Sequence, residues 1–241
     1  MADKLLIEYL SDGQIVRLTL NAPKANILDA KMLADLHHSL DDLANQPNVK
    51  MIQFIGSGKH FSDGLRMAEH TPQQAHDMIK SFHGLFQKLT DLSIPTAAMV
   101  SGNCLGGAME LALACNFIFA DHSARFGQPE IGYGVFLPLP SLLLPLRIGT
   151  TRAEELLLTG RILDAHEAHE FGLITRIYAD RTGMDSWVTK WSEKHILPKN
   201  AKALRQGVKA ARIQMNYYLE QILPEVERQY LDELLATHRA N

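Results

Sequence analysis

Glu110 and Glu130 are the residues of this chain whose types and surroundings could do chemistry. Glu110 lies in Val100 to Ile118, "VSGNCLGGAMELALACNFI", where a strand-like run meets Gly106-Gly107 and then a helix apolar on nearly every side. A helix apolar all round is a buried one. An ionised, unpaired carboxylate there is costly, so Glu110 needs a partner, a raised pKa, or both. A raised pKa is what a general acid or base needs near neutral pH; the competing reading is an acid answering the dipole at a helix N-terminus. Gly106 and Gly107 leave the first helical N–H groups open to a developing oxyanion, or serve only a tight strand-to-helix turn.

Glu130 stands twenty residues further on, in "ARFGQPEI", where Gly127 and Pro129 indicate a turn that fixes its direction. It is either an exposed turn acid or the second of a pair. Two carboxylates suit a reaction that places a proton on one atom and an oxygen nucleophile on its neighbour, one acid serving each proton transfer. The loop Gly56–Arg66, "GSGKHFSDGLR", offers backbone N–H groups near Gly64 and Leu65 to a ligand carbonyl but lacks the helix-opening Gly-Lys-Ser/Thr of a phosphate loop. His60 and His70 are possible catalytic groups and more ordinary structural or surface ones. The eleven histidines give neither metal-ligand spacing nor a hydrolase triad, so no metal is expected.

These groups must be positioned by a fold, and 241 residues at 46% hydrophobic can bury one large core, with room for a smaller helical appendage. The 24 basic and 27 acidic side chains leave a net charge of -3 with no basic stripe, which excludes nucleic acid as the expected partner. No stretch reaches the length of a membrane span, no signal peptide opens the chain, and Cys104 and Cys115 sit in apolar runs, so a reducing, cytoplasmic setting is expected. "LLIEYL" and "IVRLTL" flank "SDGQ" as a hairpin over 5–20. Helical spacing over 28–43 and near 72–91, and from about Gly106, alternates with strands at 51–56, 96–101 and 116–121, which means stacked βα units. Beyond about 141 the pattern is helical, at 150–159, 164–171, 184–195, 200–212 and 216–238, with one strand at 175–179. The last run sets Tyr218, Ile222, Val226, Tyr230 and Leu234 on one face, against its own domain or another subunit.

Together "PKANILD" (23–29), "HFSDGL" (60–65), "SGNCLGGAMELALACNFIFAD" (101–121) and "FGQPEIGYGV" (126–135) resemble the enoyl-CoA hydratase/isomerase, or crotonase, family over essentially the whole chain. The resemblance implies an α/β, crotonase-like (ClpP/crotonase) spiral of ββα units over 1–180, a helical region over 181–241, and assembly as homotrimers or homohexamers. It makes Glu110 and Glu130 the acids that activate water and protonate the α-carbon of an acyl-CoA thioester, and Gly107 and Leu65 the backbone donors to the thioester oxygen. Lys24, Ala25, Asn26, Ser62, Asp63 and Gly64 match the part that holds CoA. Coenzyme A belongs to the substrate; no separate cofactor is implied. Arg66 replaces the usual acid of the oxyanion loop, and a usual glycine run after the second Glu has become "GVFLPLPSLLLPLRIG", whose Phe136 and Pro138 would line a rigid apolar acyl pocket. That combination resembles the subfamily of cyclohexa-1,5-diene-1-carbonyl-CoA hydratases. A straight-chain enoyl-CoA hydratase or isomerase, or a non-catalytic CoA-thioester-binding subunit, are the other readings.

Overall fold

In the computed structural model, residues 3–22, 24–65 and 75–235 are described. Strands β1 (Leu5–Leu10) and β2 (Ile15–Leu20) form the expected antiparallel hairpin, turning through Ser11, Asp12 and Gly13 at positive φ. From β2 the sheet continues in parallel through β3 (Met51–Gly56), β4 (Thr96–Val100), β6 (Phe117–Asp121) and β9 (Arg176–Tyr178), in the order β1-β2-β3-β4-β6-β9. Every residue of β3 and β4 is buried, as a parallel strand covered on both faces requires. One face carries α1 (Ala30–Ala44) and α2 (Ala75–Leu92); the other meets Trp187 and Trp191 of α7 (Arg181–His195), which pack on Phe119. Helix α1 starts where Asp29 accepts the N–H of Met32 and buries Met32, Leu33, Leu36, Leu40 and Leu43, the stripe its spacing predicts.

A second layer makes the spiral. Each long strand is followed by a short extended segment that lies beside the corresponding segment of the next turn. Leu28 bridges Leu65, Ser62 bridges Cys104, β5 (Asn103–Leu105) pairs in parallel with β7 (Arg125–Gly127), and β7 pairs antiparallel with β8 (Ile162–Asp164). After its segment the chain enters a helix: α1, α2, α3 (Gly107–Leu113) and, past a 3-10 turn at Pro129–Tyr133, α4 (Pro138–Ile148). Groups 20 and about 42 residues apart thereby reach the same end of neighbouring segments.

Besides the short strands β5, β7 and β8, which the sequence pattern did not show, two parts differ from the sequence expectation. The proline-containing run after Glu130 is helical from Pro138, because a proline at the first helical position lacks only an N–H that has no helical acceptor. Burial of Leu139, Leu143, Leu144 and Ile148 carries the helix past the internal Pro145. The C-terminal run is likewise not one helix. After α5 (Thr150–Thr159), α6 (Ala165–Glu170), α7 and α8 (Ala201–Ala211), it passes through α9 (Ile213–Tyr217), a π-helical turn (Tyr218–Ile222), α10 (Leu223–Arg228) and a second π segment (Gln229–Leu235). Wider π turns rotate the face. The side chains buried there are Leu219, Leu223, Tyr230 and Leu235, so of the stripe expected at i, i+4 steps Tyr230 alone is fully buried.

Candidate active site

The segment at 61–65 is pinned before it can present anything. Asn26, 1% exposed with φ 48°, donates to the carbonyls of Ser57, His60 and Phe61 and accepts the N–H of Ala22. Ser62 is buried and accepts the N–H of Gly64; Asp63 accepts from Asn103, and its own N–H donates to the Ala25 carbonyl. Asn26 and Ser62 thus hold loop backbone with their side chains, while Lys24, exposed at φ 83°, and half-buried Ala25 lie on the accessible side. The ring nitrogen Nδ1 of His60 accepts the N–H of Asn103, a structural role. Arg66 and His70 lie outside the described residues.

The pinned segment brings Leu65 against the start of α3. Gly64, at φ 93°, approaches so closely that an added Cβ would stand 2.5 Å from the Leu105 carbonyl oxygen and 3.1 Å from the Gly107 nitrogen. A Cβ on Gly107 would meet Leu65 Cγ at 2.7 Å. The Gly107 N–H is the first of α3 and has no helical acceptor, and the Leu65 N–H donates to no described group. Two backbone N–H groups with no described acceptor thus lie close together.

Glu110 lies one turn into α3, 1% exposed, with neither carboxylate oxygen hydrogen-bonded among the described residues. Glu130 leaves the 3-10 turn at 7% exposure, and its carboxylate rests over Gly106, which has φ 51° and no side chain to obstruct it. Burial pushes Glu130 up to about 7. Burial, and then the nearby Glu130 charge, hold Glu110 well above the usual carboxylate range. Two buried carboxylates so close together repel when both are ionised, so near neutral pH the pair retains a proton.

Half-buried Phe136 and buried Pro138 follow directly, tied back by the Val135 N–H donating to the Glu130 carbonyl at 3.2 Å. Phe136 meets Tyr230 edge-on, ring centroids 5.6 Å apart. In the sequence Tyr230 is one member of the apolar stripe of the last helical run. Among the described residues no group of three or more His, Cys, Asp or Glu is placed to hold a metal, and no helix is long and apolar enough to cross a membrane.

Two buried carboxylates and two backbone N–H groups without described acceptors lie at a shared end of an α/β spiral, and the family model for enoyl-CoA hydratase/isomerase matches residues 11–239. The chain belongs to that family, and as an enzyme it is a hydro-lyase of the enoyl-CoA hydratase type. It is 42% identical over 229 residues, 95% of this chain and 88% of the other, to a cyclohexa-1,5-dienecarbonyl-CoA hydratase of Thauera aromatica. A probable enoyl-CoA hydratase of Rhizobium meliloti is 37% identical over 180 residues, 73% of this chain and 69% of the other. The crystal structure of an enoyl-CoA hydratase/isomerase from Xanthobacter autotrophicus Py2 superposes with a TM-score of 0.85 at 28% identity, covering 98% of this chain and 87% of that one.

Proposed function

We propose that this enzyme adds water to a conjugated C=C of an alicyclic acyl-CoA thioester of the cyclohexa-1,5-diene-1-carbonyl-CoA type. The observation that carries the reading is the pair Glu110 and Glu130, both buried and both held above the ordinary carboxylate range, beside the N–H groups of Leu65 and Gly107. The ionised carboxylate takes a proton from water as the oxygen bonds to an electrophilic carbon of the conjugated system. The displaced electron pair moves onto the thioester oxygen, where the two N–H groups stabilise it. The protonated carboxyl then returns a proton to carbon, so the pair ends with the proton it began with.

The alicyclic choice is supported by the likeness to the Thauera aromatica hydratase and by the apolar wall after Glu130, where Val135, Leu137, Pro138 and Leu139 are buried and Phe136 is braced by Tyr230. Lys24 and Ala25, with the backbone of residues 62–64, are the groups proposed to hold the CoA portion; no resident metal or redox cofactor takes part in this reading. The same reading takes the chain as a cytoplasmic homotrimer or pair of trimers. Two buried free thiols and exposed apolar side chains at Leu158, Ile213 and Tyr217 are compatible with that setting. Assay of the purified protein with cyclohexa-1,5-diene-1-carbonyl-CoA and with crotonyl-CoA tests it. Hydration of the cyclic thioester in preference to the straight one is the expected result; reaction with crotonyl-CoA alone removes the alicyclic assignment, and binding without hydration of either makes the protein a thioester-binding subunit.

A further inference from the structure

Among the described residues two cations meet without an acid. Arg147, near the end of α4, and Arg212, just past α8, both come to the C-terminal end of α3 and are half-buried there. Arg147 Nη2 donates to the carbonyls of Leu113, at 2.7 Å, and of Cys115; Arg212 Nη1 donates to that of Ala114 at 2.6 Å. No carboxylate among the described residues pairs with either, and Arg212 Nη2 is buried with no acceptor. A helix end offers at most about half a negative charge, so against two guanidiniums the balance stays positive by about one and a half charges. Burial, and then the neighbouring Arg147 charge, bring Arg212 down to about 10.

Both arginines line a cleft of about 340 Å³, at the lower end of the sizes that take small molecules. Asn116 lines it too. Its amide oxygen accepts the backbone N–H and the hydroxyl of Thr96. Since a backbone N–H only donates, the orientation of that amide is fixed, and its NH2 group is left as a donor. Leu143, Leu146 and Met215 form the apolar side, and no acidic residue among those described borders the cleft. Helix α3 is seven residues long, which sets the cleft about 10 Å along it from Gly107.

We propose that this cleft is a second ligand site, separate from the acids, which takes a small molecule bearing a phosphate group. Arg147, Arg212 and Asn116 bind the phosphate, and Leu143, Leu146 and Met215 meet the apolar part of the ligand. Guanidinium groups suit this task because they stay charged and donate in pairs. A phosphate monoester brings up to two negative charges and three acceptor oxygens, a carboxylate one charge and two oxygens. The surplus positive charge and the three donor groups match the former, and a bound phosphate offsets the repulsion between the two arginines.

Calorimetric titration of the purified protein with inorganic phosphate and with phenyl phosphate, against sodium chloride of equal ionic strength, tests the proposal. Expected is saturable binding of both, tighter for phenyl phosphate, with a Tm raised by about 3 °C or more at saturation. Arg212→Lys keeps a charge and loses the paired donors. Leu146→Glu, at the exposed rim, adds an acid and leaves the hydrogen bonds of both arginines in place. Each should weaken binding about tenfold or more, and Lys24→Ala, in the segment proposed to hold CoA, should leave it unchanged. Should Arg212→Lys fail to fold, Leu146→Glu decides. Absence of saturable phosphate binding overturns the proposal, as does unchanged affinity in folded Leu146→Glu or loss of binding in Lys24→Ala. Equal affinity for the two phosphates overturns the part assigned to the apolar side.

Discussion

A Cβ built on Gly106 would stand 1.8 Å from Oε1 of Glu130 and 3.0 Å from its carboxyl carbon. The glycine ahead of the helix bearing one acid is thus the seat of the other. Its φ of 51° further disfavours any residue with a side chain. Gly106→Ala should lower turnover by about 100-fold or more, by moving the Glu130 carboxylate off its seat. Steady-state hydration assays on protein verified as folded by circular dichroism provide the check; a near-normal rate would mean that Glu130 need not sit there.

Removal of either carboxylate should be severe. Glu110→Gln and Glu130→Gln keep shape and burial, and each is expected to reduce kcat by about 100-fold or more. The double variant should be far less than multiplicative, because the two act as a unit. Rates multiplying through the cycle would show two independent groups instead.

Glu130 also links stability to pH. Its folded value is about 7 against an ordinary 4.5, so the native protein keeps a proton that the unfolded chain releases. That contribution is fully present below about 4.5 and is lost as pH rises through about 7, a swing on the order of 3 kcal/mol. Glu130→Gln has no such loss. The difference in Tm between variant and wild type should therefore move in the variant's favour from about pH 5 to about pH 8. Scanning calorimetry across that window settles it, and a constant difference rules out the raised value.

Gly64→Ala addresses the proposed oxyanion donors, the Leu65 and Gly107 N–H groups, without touching either acid. The new methyl would press on the Leu105 carbonyl and the Gly107 nitrogen at a backbone φ of 93°. Displacing a donor should cost about 100- to 1000-fold in kcat. The affinity for a saturated acyl-CoA, measured by calorimetric titration, should change much less; equal loss of both would point to general disruption of the site.

Asn26→Asp replaces an amide donor to three carbonyls with a group that only accepts. Buried mismatches of this kind cost about 1 to 3 kcal/mol or more, so Tm should drop by several degrees. Chemical denaturation gives the direct reading; an unchanged midpoint would show that the loop holds itself.

Much of this molecule is legible in the order of its residues. The hairpin follows from "SDGQ" between two apolar runs, and α1 from its leucine spacing and the Asp29 cap. The suspicion about Glu110 follows from an acid in a helix apolar on every side. These are local facts, set by turn chemistry, periodicity and the cost of burying charge. The helix at Pro138–Ile148 was obscured by its own prolines, whose positions relative to the helix start are not visible until the start is known.

The sequence alone determined which residues could be acid, donor or apolar wall; the tertiary structure decided which of them meet. Parallel pairing of the segments around Leu65, Leu105 and Gly127 sets Leu65, Gly107 and Glu130 at one edge, although long stretches of chain separate them. Two π-helical segments in the C-terminal run, invisible to a 3.6-residue period, turn Tyr230 rather than its whole predicted stripe into the core. Strand register and helix phase are collective properties of packing, and they place Tyr230 against Phe136, far earlier in the chain.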